Sequence, residues 1–279
     1  MSRGATSRGA RTALIALAAL CVLVSCVATP RKLAVKDRLP PAKIDSEGWN
    51  ELLGQNVKQG FVHYPGFCGS EAFASYLKQI READLTGATR EEILSFYTNA
   101  YNASAIDSIL SGNSPSSLLG RHHFFLRNRH AVAGEDITLW DLEHERLRPL
   151  DESRIHFAIV CASYSCPALQ SRAFRPETLD EQLDAATREF INDPARNRFY
   201  PDEEVALISA IFDWYKEDFT SEGASLSDYL ALYVNDPEVA DKLRKGAFEL
   251  RFLPYDWNLN GMPPSAIGGC LGQERVVEY

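Results

Sequence analysis

The chain has 279 residues, of which 45% are hydrophobic, and carries a formal net charge of −9 at pH 7. This length predicts one large domain or two small ones, with enough apolar side chains for a substantial core. The acidic balance argues against nucleic acid as a partner.

The N-terminal segment has the pattern of a bacterial lipoprotein signal. Three arginines precede an apolar stretch, residues 13–24, that is too short to span a bilayer as a helix. The sequence Leu-Val-Ser-Cys that ends at Cys26 resembles a lipobox, in which the cysteine is lipidated and becomes the first residue of the mature protein. The alternative is an ordinary cleaved signal with an incidental cysteine. Both interpretations predict that the folded part works outside the cytoplasm.

Membrane attachment is expected to depend on the acyl chains at Cys26 alone. Removal of residues 1–25 takes away three arginines and no acid, which lowers the formal charge from −9 to about −12. Such a surface has no electrostatic affinity for anionic lipid. Val27, rather than aspartate, follows Cys26, which by the usual sorting rule indicates an outer-membrane lipoprotein facing the periplasm.

Composition along the chain predicts a single globular domain. Residues 1–25 form the signal peptide, and residues 26–45, which contain a Pro-Pro pair, are predicted to be a tether. Residues 46–260 are predicted to fold as one α+β domain, because no second linker-like stretch interrupts them. Residues 261–279 are predicted to be an irregular tail.

Hydrophobic spacing predicts the elements of this domain. The predicted helices are 46–55, 70–83, 89–112, 140–146, 178–192, 226–233 and 239–243. The predicted strands are 61–64, a hairpin over 130–139, 155–160, 205–211 and 248–253. The clearest helix begins with a capping box at Thr89 and Glu92 and stops at Gly112. Helices lead and strands follow without regular alternation, which predicts α+β, with helices packed on a mainly antiparallel sheet.

Four cysteines remain in the mature chain once the lipidated Cys26 is set aside: Cys68, Cys161, Cys166 and Cys270. An even number of cysteines in an oxidising compartment is typical of disulfide bonding, and four cysteines allow three pairings. The local option is Cys161 with Cys166. The same two cysteines are also the candidates for a reactive thiol.

The segment from His156 to Cys166 is the one dense cluster of reactive side chains in the sequence. A thiolate needs a base or a positive neighbour at neutral pH, and His156 is a candidate for that base. On an extended strand His156 and Cys161 would lie about 16 Å apart and on opposite faces. Cys166 lies beyond a Ser-Tyr-Ser turn and could fold back, so it is the better nucleophile candidate. A Cys161–Cys166 disulfide is the alternative.

Two further motifs add polar groups to this candidate site. Asn99 and Asn102 share one face of the long helix, where they either bond the backbone or face a substrate. Asp256 near the end of the last strand either orients His156 or caps a turn. No zinc-ligand spacing, phosphate loop or dinucleotide fingerprint is present, so neither a metal nor a cofactor is predicted.

Five segments in this order resemble the domain-of-unknown-function family numbered 547. They are Tyr-x-Asn-x-Tyr-Asn-Ala, Ile-His-Phe-Ala leading to Cys-x-x-x-x-Cys-Pro, Phe-Ile-Asn, Phe-x-Trp-Tyr-x-x-Asp-Phe and Tyr-Asp-Trp-x-Leu-Asn. The resemblance covers roughly residues 50–260 and implies no settled activity. In this family a helix comes first and strands that carry Cys and His follow. That order is similar to papain-like and transglutaminase-like arrangements, which is an analogy of fold and not of function.

Two hypotheses follow from the sequence. The first is an envelope-anchored cysteine-hydrolase-like protein that acts on amide or thioester bonds of an envelope peptide. Its nucleophile would be Cys166 and its base His156, oriented by Asp256, with Asn99 or Asn102 as the oxyanion donor. The second is a non-catalytic periplasmic lipoprotein that binds a peptide or small molecule, or serves as a scaffold, with Cys161–Cys166 as a structural disulfide.

Overall fold

Helices and three small sheets make up the part of the chain that the computed structural model describes, residues 30–220, 223–267 and 270. The predicted α+β class is confirmed. The chain divides into two units, 1–30 and 31–279, and the second holds all of these elements. The predicted signal peptide and Cys26 lie outside the described residues. No helix within the described ranges has the length and apolar character needed to cross a membrane.

The helices follow the predicted spacing closely. In the described ranges they are α1 (Ser46–Asn56), α2 (Glu71–Glu82), α3 (Arg90–Leu110), α4 (Leu118–Leu126), α5 (Leu139–Asp141), α6 (Leu179–Asn192), α7 (Ile211–Trp214), α8 (Lys216–Phe219), α9 (Leu226–Tyr233) and α10 (Pro237–Arg244). The capping box of α3 is confirmed: the Glu92 amide donates to Thr89 Oγ1, and the Thr89 amide donates to the Glu92 carboxylate. A π-helix, Leu142–Leu147, continues directly from α5.

The strands form three separate sheets and not a single one. They are β1 (Arg31–Lys32), β2 (Val57–Lys58), β3 (Phe61–His63), β4 (Arg129–Val132), β5 (Glu135–Thr138), β6 (Arg198–Tyr200), β7 (Val205–Ile208), β8 (Glu249–Phe252) and β9 (Gly261–Met262). The sheet orders are β1–β5–β4, β2–β3–β9 and β6–β7–β8, in which β3–β9 and β7–β8 are parallel and the other pairs are antiparallel. The predicted hairpin is β4–β5, whose two turn residues, Ala133 and Gly134, both have positive φ.

Two hydrophobic clusters form the core. The larger one gathers α1 to α5 and the first half of α6 around Trp49, Tyr64 and Tyr101. The smaller one gathers the second half of α6 and α7 to α10 around Phe212 and Leu230. The segment that follows residue 152 lies between them. Ile155 and Ala158 are packed in the larger cluster, whereas Phe157 is packed in the smaller one. Polar groups at residues 155–160 are therefore removed from water.

The prediction of a strand over 155–160 is wrong. Ser153–Phe157 form a 3₁₀-helix, and the run beyond it joins no sheet. A short, continuous apolar run has no periodicity that distinguishes a buried strand from a buried helical turn. The prediction for 205–211 is correct for β7, but Ile211 belongs to α7.

Along this segment, asparagine side chains form the backbone hydrogen bonds that a neighbouring strand would otherwise form. Asn102 Nδ2 donates to the Ala158 carbonyl at 2.9 Å, and the Val160 amide donates to Asn102 Oδ1 at 2.9 Å. Asn99 forms the same two-bond pairing with the backbone of Phe174, at 2.7 and 3.0 Å. Both amides are buried and satisfy backbone groups that are shielded from water. Helix α3 thereby holds two irregular segments in place.

The predicted tether and tail are partly attached to the domain. Within the predicted tether 26–45, β1 pairs with β5, and the Leu39 amide donates to the Glu82 carbonyl. Within the predicted tail 261–279, β9 pairs with β3, and Cys270 is bonded to Cys68. The Cys68–Cys270 pairing thus joins the C-terminal region to the loop before α2.

Removal of an asparagine amide is expected to cost substantial stability. Asn102→Ala leaves the Ala158 carbonyl and the Val160 amide buried without partners. We expect the free energy of unfolding to fall by about 2–4 kcal/mol, measured by urea denaturation. Asn235→Ala, at an exposed asparagine, is the matched control and should change it by less than about 0.5 kcal/mol. Equal effects of the two substitutions would contradict the backbone-pairing role.

Candidate functional site

His156 lies on the 3₁₀-helix between the two hydrophobic clusters and is almost fully buried. Its Nε2 donates to Asp218 Oδ2 at 2.7 Å. Arg148 donates two hydrogen bonds of 2.7 Å to the same carboxylate, one to each oxygen. The imidazole ring stacks on Tyr215, with ring centroids 4.0 Å apart, and meets the edge of Phe219. These contacts hold the ring in one orientation.

Asp218 remains ionised over a wide pH range in this setting. Partial burial acts to raise the pKa of its carboxyl group, but the hydrogen bonds and charges of His156 and Arg148 outweigh that effect. The net result is a pKa well below the usual range for aspartate. Two donors thus share one carboxylate, in the bidentate geometry that arginine favours. The arrangement connects α8 to the residue that follows the π-helix.

Glu143 is a second carboxylate beside His156, and it lies on the π-helix Leu142–Leu147. It is buried, and its Oε1 lies 3.8 Å from His156 Nδ1. Among the described residues, Oε1 has no hydrogen-bond partner. Burial, followed by the charge of Glu143, raises the pKa of both Tyr215 and Tyr101, so the two phenols stay protonated.

Cys161 and Cys166 form a disulfide at the other end of the segment, with Cα atoms 6.3 Å apart. We refer to residues 161–166 as the disulfide loop. Tyr255 lies against both sulfurs: its hydroxyl donates to Cys166 Sγ at 3.1 Å and lies 3.3 Å from Cys161 Sγ. The Cys161 amide also donates to Cys166 Sγ, at 3.1 Å. Cys166 is buried, whereas Cys161 is partly exposed.

Backbone contacts fix the disulfide loop to the segment that follows β8. The Tyr164 amide donates to the Asn258 carbonyl at 2.6 Å, and the Ser165 amide donates to the Asp256 carbonyl at 3.1 Å. Arg196 closes the other side, with hydrogen bonds to the carbonyls of Tyr164 and Cys166. The position of residues 255–258 therefore depends on the conformation of the disulfide loop.

Aromatic rings beside the disulfide loop form a patch, which we call the aromatic surface and define as Trp214, Tyr255 and Trp257. Trp214 is exposed, whereas Tyr255 and Trp257 are partly buried. Ring centroids in this group lie 4.5 to 5.8 Å apart. Trp214 is 48% exposed, an unusual value for so large an apolar side chain. The guanidinium carbon of Arg121 lies 4.7 Å from the ring centroid of Trp257. An exposed aromatic patch with an adjacent cation is typical of a binding surface.

The structure does not bring the predicted hydrolase residues together. In the described residues, the contacts of the His156 nitrogens are with Asp218 and Glu143, whereas the sulfur of Cys166 contacts Tyr255 and the Cys161 backbone. Asp256 accepts from the backbone and side-chain amides of Asn258, which is the turn-capping alternative. The side-chain amides of Asn99 and Asn102 each donate one hydrogen bond to the backbone and accept one from it.

The sequence reasoning missed Asp218, Arg148 and Tyr255. Asp218 lies in the Phe-x-Trp-Tyr-x-x-Asp-Phe segment, whose aromatic residues by themselves indicate packing in the core. That interpretation holds for Phe212 and Phe219, which are buried, but not for Trp214. A signal was available: an aspartate between buried aromatic residues needs a partner, and a buried histidine is one.

No group of three or more His, Cys, Asp or Glu arranged for a metal ion occurs in the described ranges.

The middle of the chain matches a family model. Residues 85–191 match the model described as "Protein of unknown function, DUF547", and this segment contains His156 and the disulfide loop but ends before Asp218 and Tyr255. The match supports the resemblance to the domain-of-unknown-function family and assigns no activity. No curated protein and no solved structure matches the chain. The analogy to papain-like and transglutaminase-like folds stays a prediction.

The Asp218 carboxylate is expected to make stability depend on acid pH. Its pKa is lower in the folded protein than in the unfolded chain, where it is about 3.9. Its stabilisation is therefore complete above about pH 4 and is lost as the pH falls toward the folded-state pKa. We expect Asp218→Asn to lower the free energy of unfolding at pH 7 by about 2 kcal/mol, and the difference from wild type to shrink below about pH 4.

Urea denaturation between pH 7 and pH 3 measures this difference. Asp213→Asn, at an exposed aspartate five residues earlier in the chain, is the matched control and should track the wild type at every pH. A penalty for Asp218→Asn that stays constant as the pH falls would argue against an ionised Asp218 as the stabilising species.

Proposed function

We propose that this protein is a cell-envelope lipoprotein that binds a peptide segment on its aromatic surface. The observation that carries the proposal is the exposure of Trp214, whose ring stacks on Trp257 and lies tilted against Tyr255. Arg121 adds a cation at the edge of this group. Tryptophan, tyrosine and arginine are the residues that most often dominate the energy of protein and peptide interfaces.

The Cys161–Cys166 disulfide supports this function by its position. It holds the loop that pairs with residues 256 and 258, and its sulfurs contact the Tyr255 hydroxyl. A surface whose backbone is held in one conformation loses less entropy when it binds a ligand. The disulfide is therefore assigned the role of a brace beneath the aromatic surface.

The cysteine-hydrolase alternative, in which Cys166 attacks an amide or thioester bond, has weaker support. Its nucleophile is held in a disulfide and its base is bonded to Asp218. General-base catalysis requires the base to lie within about 3.2 Å of the proton that it removes. Reduction of the disulfide would free a thiol, but His156 would also need to leave a carboxylate that Arg148 keeps in place.

Attachment to the membrane through Cys26 completes the proposal. Its support is the sequence pattern of the first 26 residues, namely a basic start, a short apolar stretch and Leu-Val-Ser-Cys. A diacylated cysteine at the end of a short tether would keep the domain close to envelope peptides. The sorting pattern at Val27 supports the outer membrane, with the domain facing the periplasm.

Loss of either tryptophan ring is expected to weaken peptide binding. A phage-displayed random peptide library selected on the wild-type protein supplies the probe. Trp214→Ala and Trp257→Ala should each weaken binding of the selected peptides by at least about tenfold, because interface tryptophans typically contribute 2 kcal/mol or more. Titration monitored by calorimetry measures the dissociation constants.

Phe252→Ala removes an exposed aromatic ring of the third sheet and is the matched control, with no expected change in affinity. The proposal fails if the library yields no specific binders, or if the selected peptides bind the tryptophan variants as well as the wild type.

Lipidation at Cys26 is expected to be necessary for membrane attachment. Cys26→Ser should prevent incorporation of labelled palmitate and move the protein to the soluble envelope fraction. Cys21→Ser alters a cysteine inside the apolar stretch and should leave both readouts at the wild-type level. Palmitate incorporation in the Cys26→Ser variant would contradict the assignment.

A further inference from the structure

Hydrogen-bond donors contact both sulfurs of the disulfide loop and lie closer to Cys166. Cys166 Sγ accepts from the Cys161 amide and from the Tyr255 hydroxyl, both at 3.1 Å. Cys161 Sγ lies 3.3 Å from the Tyr255 hydroxyl and 3.4 Å from the Ser163 hydroxyl. Burial raises the pKa of Tyr255, so its hydroxyl stays protonated and remains a donor. The same two donors would stabilise Cys166 as a thiolate if the disulfide opened, since hydrogen bonds to an anion are stronger than those to a neutral group.

A positive charge lies beside the backbone of Cys166. The Arg196 guanidinium bonds the Cys166 and Tyr164 carbonyls, and its charge acts on the Tyr255 hydroxyl. A cation near a cysteine favours the thiolate form. Burial of Cys166 opposes ionisation, and the two hydrogen bonds and the guanidinium are the groups that offset it.

The two cysteines differ in access. Cys161, the first residue of the disulfide loop, is partly exposed, whereas Cys166, its last residue, is buried. An external thiolate therefore reaches Cys161 first. Ala162, between them, has a φ of 61°, a left-handed conformation that is unfavourable for a non-glycine residue.

We propose that Cys161–Cys166 is a redox-active disulfide that exchanges with a dithiol of a partner protein. The partner's thiolate attacks Cys161 Sγ, a mixed disulfide forms at Cys161, and the Cys161–Cys166 bond breaks with Cys166 leaving as a thiolate. The second thiolate of the partner then attacks the mixed disulfide and releases Cys161. Two electrons pass to Cys161 and Cys166, which take up protons from water, and the partner is oxidised to a disulfide.

The Cys68–Cys270 disulfide provides a comparison within the same molecule. Both of its cysteines are partly exposed, and its Cα separation of 5.4 Å is ordinary. Among the described residues, no N–H or O–H group donates to either of its sulfurs. Within the part of the chain that the structure describes, donors that would stabilise a leaving thiolate therefore lie at Cys161–Cys166 and not at Cys68–Cys270. Such stabilisation lowers the pKa of the leaving thiol, and a thiol of lower pKa leaves faster.

Site-resolved reduction by glutathione tests the proposal. The full mature protein is quenched with acid at successive times, alkylated and mapped by peptide mass. We expect Cys161–Cys166 to open at least about tenfold faster than Cys68–Cys270, with the glutathione adduct on Cys161. Equal rates, faster opening of Cys68–Cys270, or an adduct on Cys166 would each overturn the proposal.

A tyrosine variant tests how the Tyr255 hydroxyl affects the rate at which the Cys161–Cys166 disulfide opens. Tyr255→Phe removes the hydroxyl and keeps the ring, and we expect it to slow opening by about threefold to tenfold. Tyr164→Phe, within the loop but with an exposed ring, is the control and should leave the rate unchanged. An unchanged rate in Tyr255→Phe would refute the role of the hydroxyl. If that variant does not fold, the wild-type comparison of the two disulfides decides alone.

The exchange proposal does not rest on peptide binding by the aromatic surface. Its readout is the redox state of individual cysteines, and it requires no bound peptide. A protein that exchanges thiols but selects no peptides, or the reverse, would therefore separate the two proposals.

Discussion

A buried imidazole between two hydrophobic clusters imposes the constraint on which the site depends. His156 is removed from water on all sides, and a polar ring in such a place needs partners for its nitrogens. Asp218 supplies one partner at 2.7 Å. The carboxylate in turn needs compensation for its own partial burial, which the Arg148 fork provides. Asp218 thereby joins α8 to Arg148 and His156, which lie 70 and 62 positions earlier in the chain.

The requirement that buried polar groups have hydrogen-bond partners also explains the two asparagines of α3. The backbone around residues 158–160 and 174 joins no sheet, so its amide and carbonyl groups have no ladder partners. Asn99 and Asn102 each present one donor and one acceptor, which match one backbone pairing each. One N–H and the oxygen of each amide are thus engaged by the backbone. These contacts are those of the backbone-bonding alternative for Asn99 and Asn102.

The disulfide and the aromatic surface share one structural unit. Tyr255 contributes its ring to the surface and its hydroxyl to the sulfurs, while the loop backbone pairs with residues 256 and 258. A change in the redox state of Cys161 and Cys166 would remove the covalent constraint beneath the rings. If both proposals hold, thiol exchange and ligand affinity would be coupled through Tyr255, since opening the bond alters the group that its hydroxyl contacts.

The sequence by itself determined most of the helices and the β4–β5 hairpin, but it did not predict α4. Capping boxes, helical spacing and turn residues are local features, so they can be interpreted without knowledge of the fold. The sequence also singled out the segment from His156 to Cys166 as a candidate site. It did not distinguish a strand from a 3₁₀-helix over 155–160, because an apolar run without periodicity fits both. Only the tertiary structure decided that Asp218 and not Asp256 partners His156, and that Tyr255 meets the sulfurs. Those pairings join residues 62 and 89 positions apart, and partner choice at such distances is decided by how the helices and loops pack.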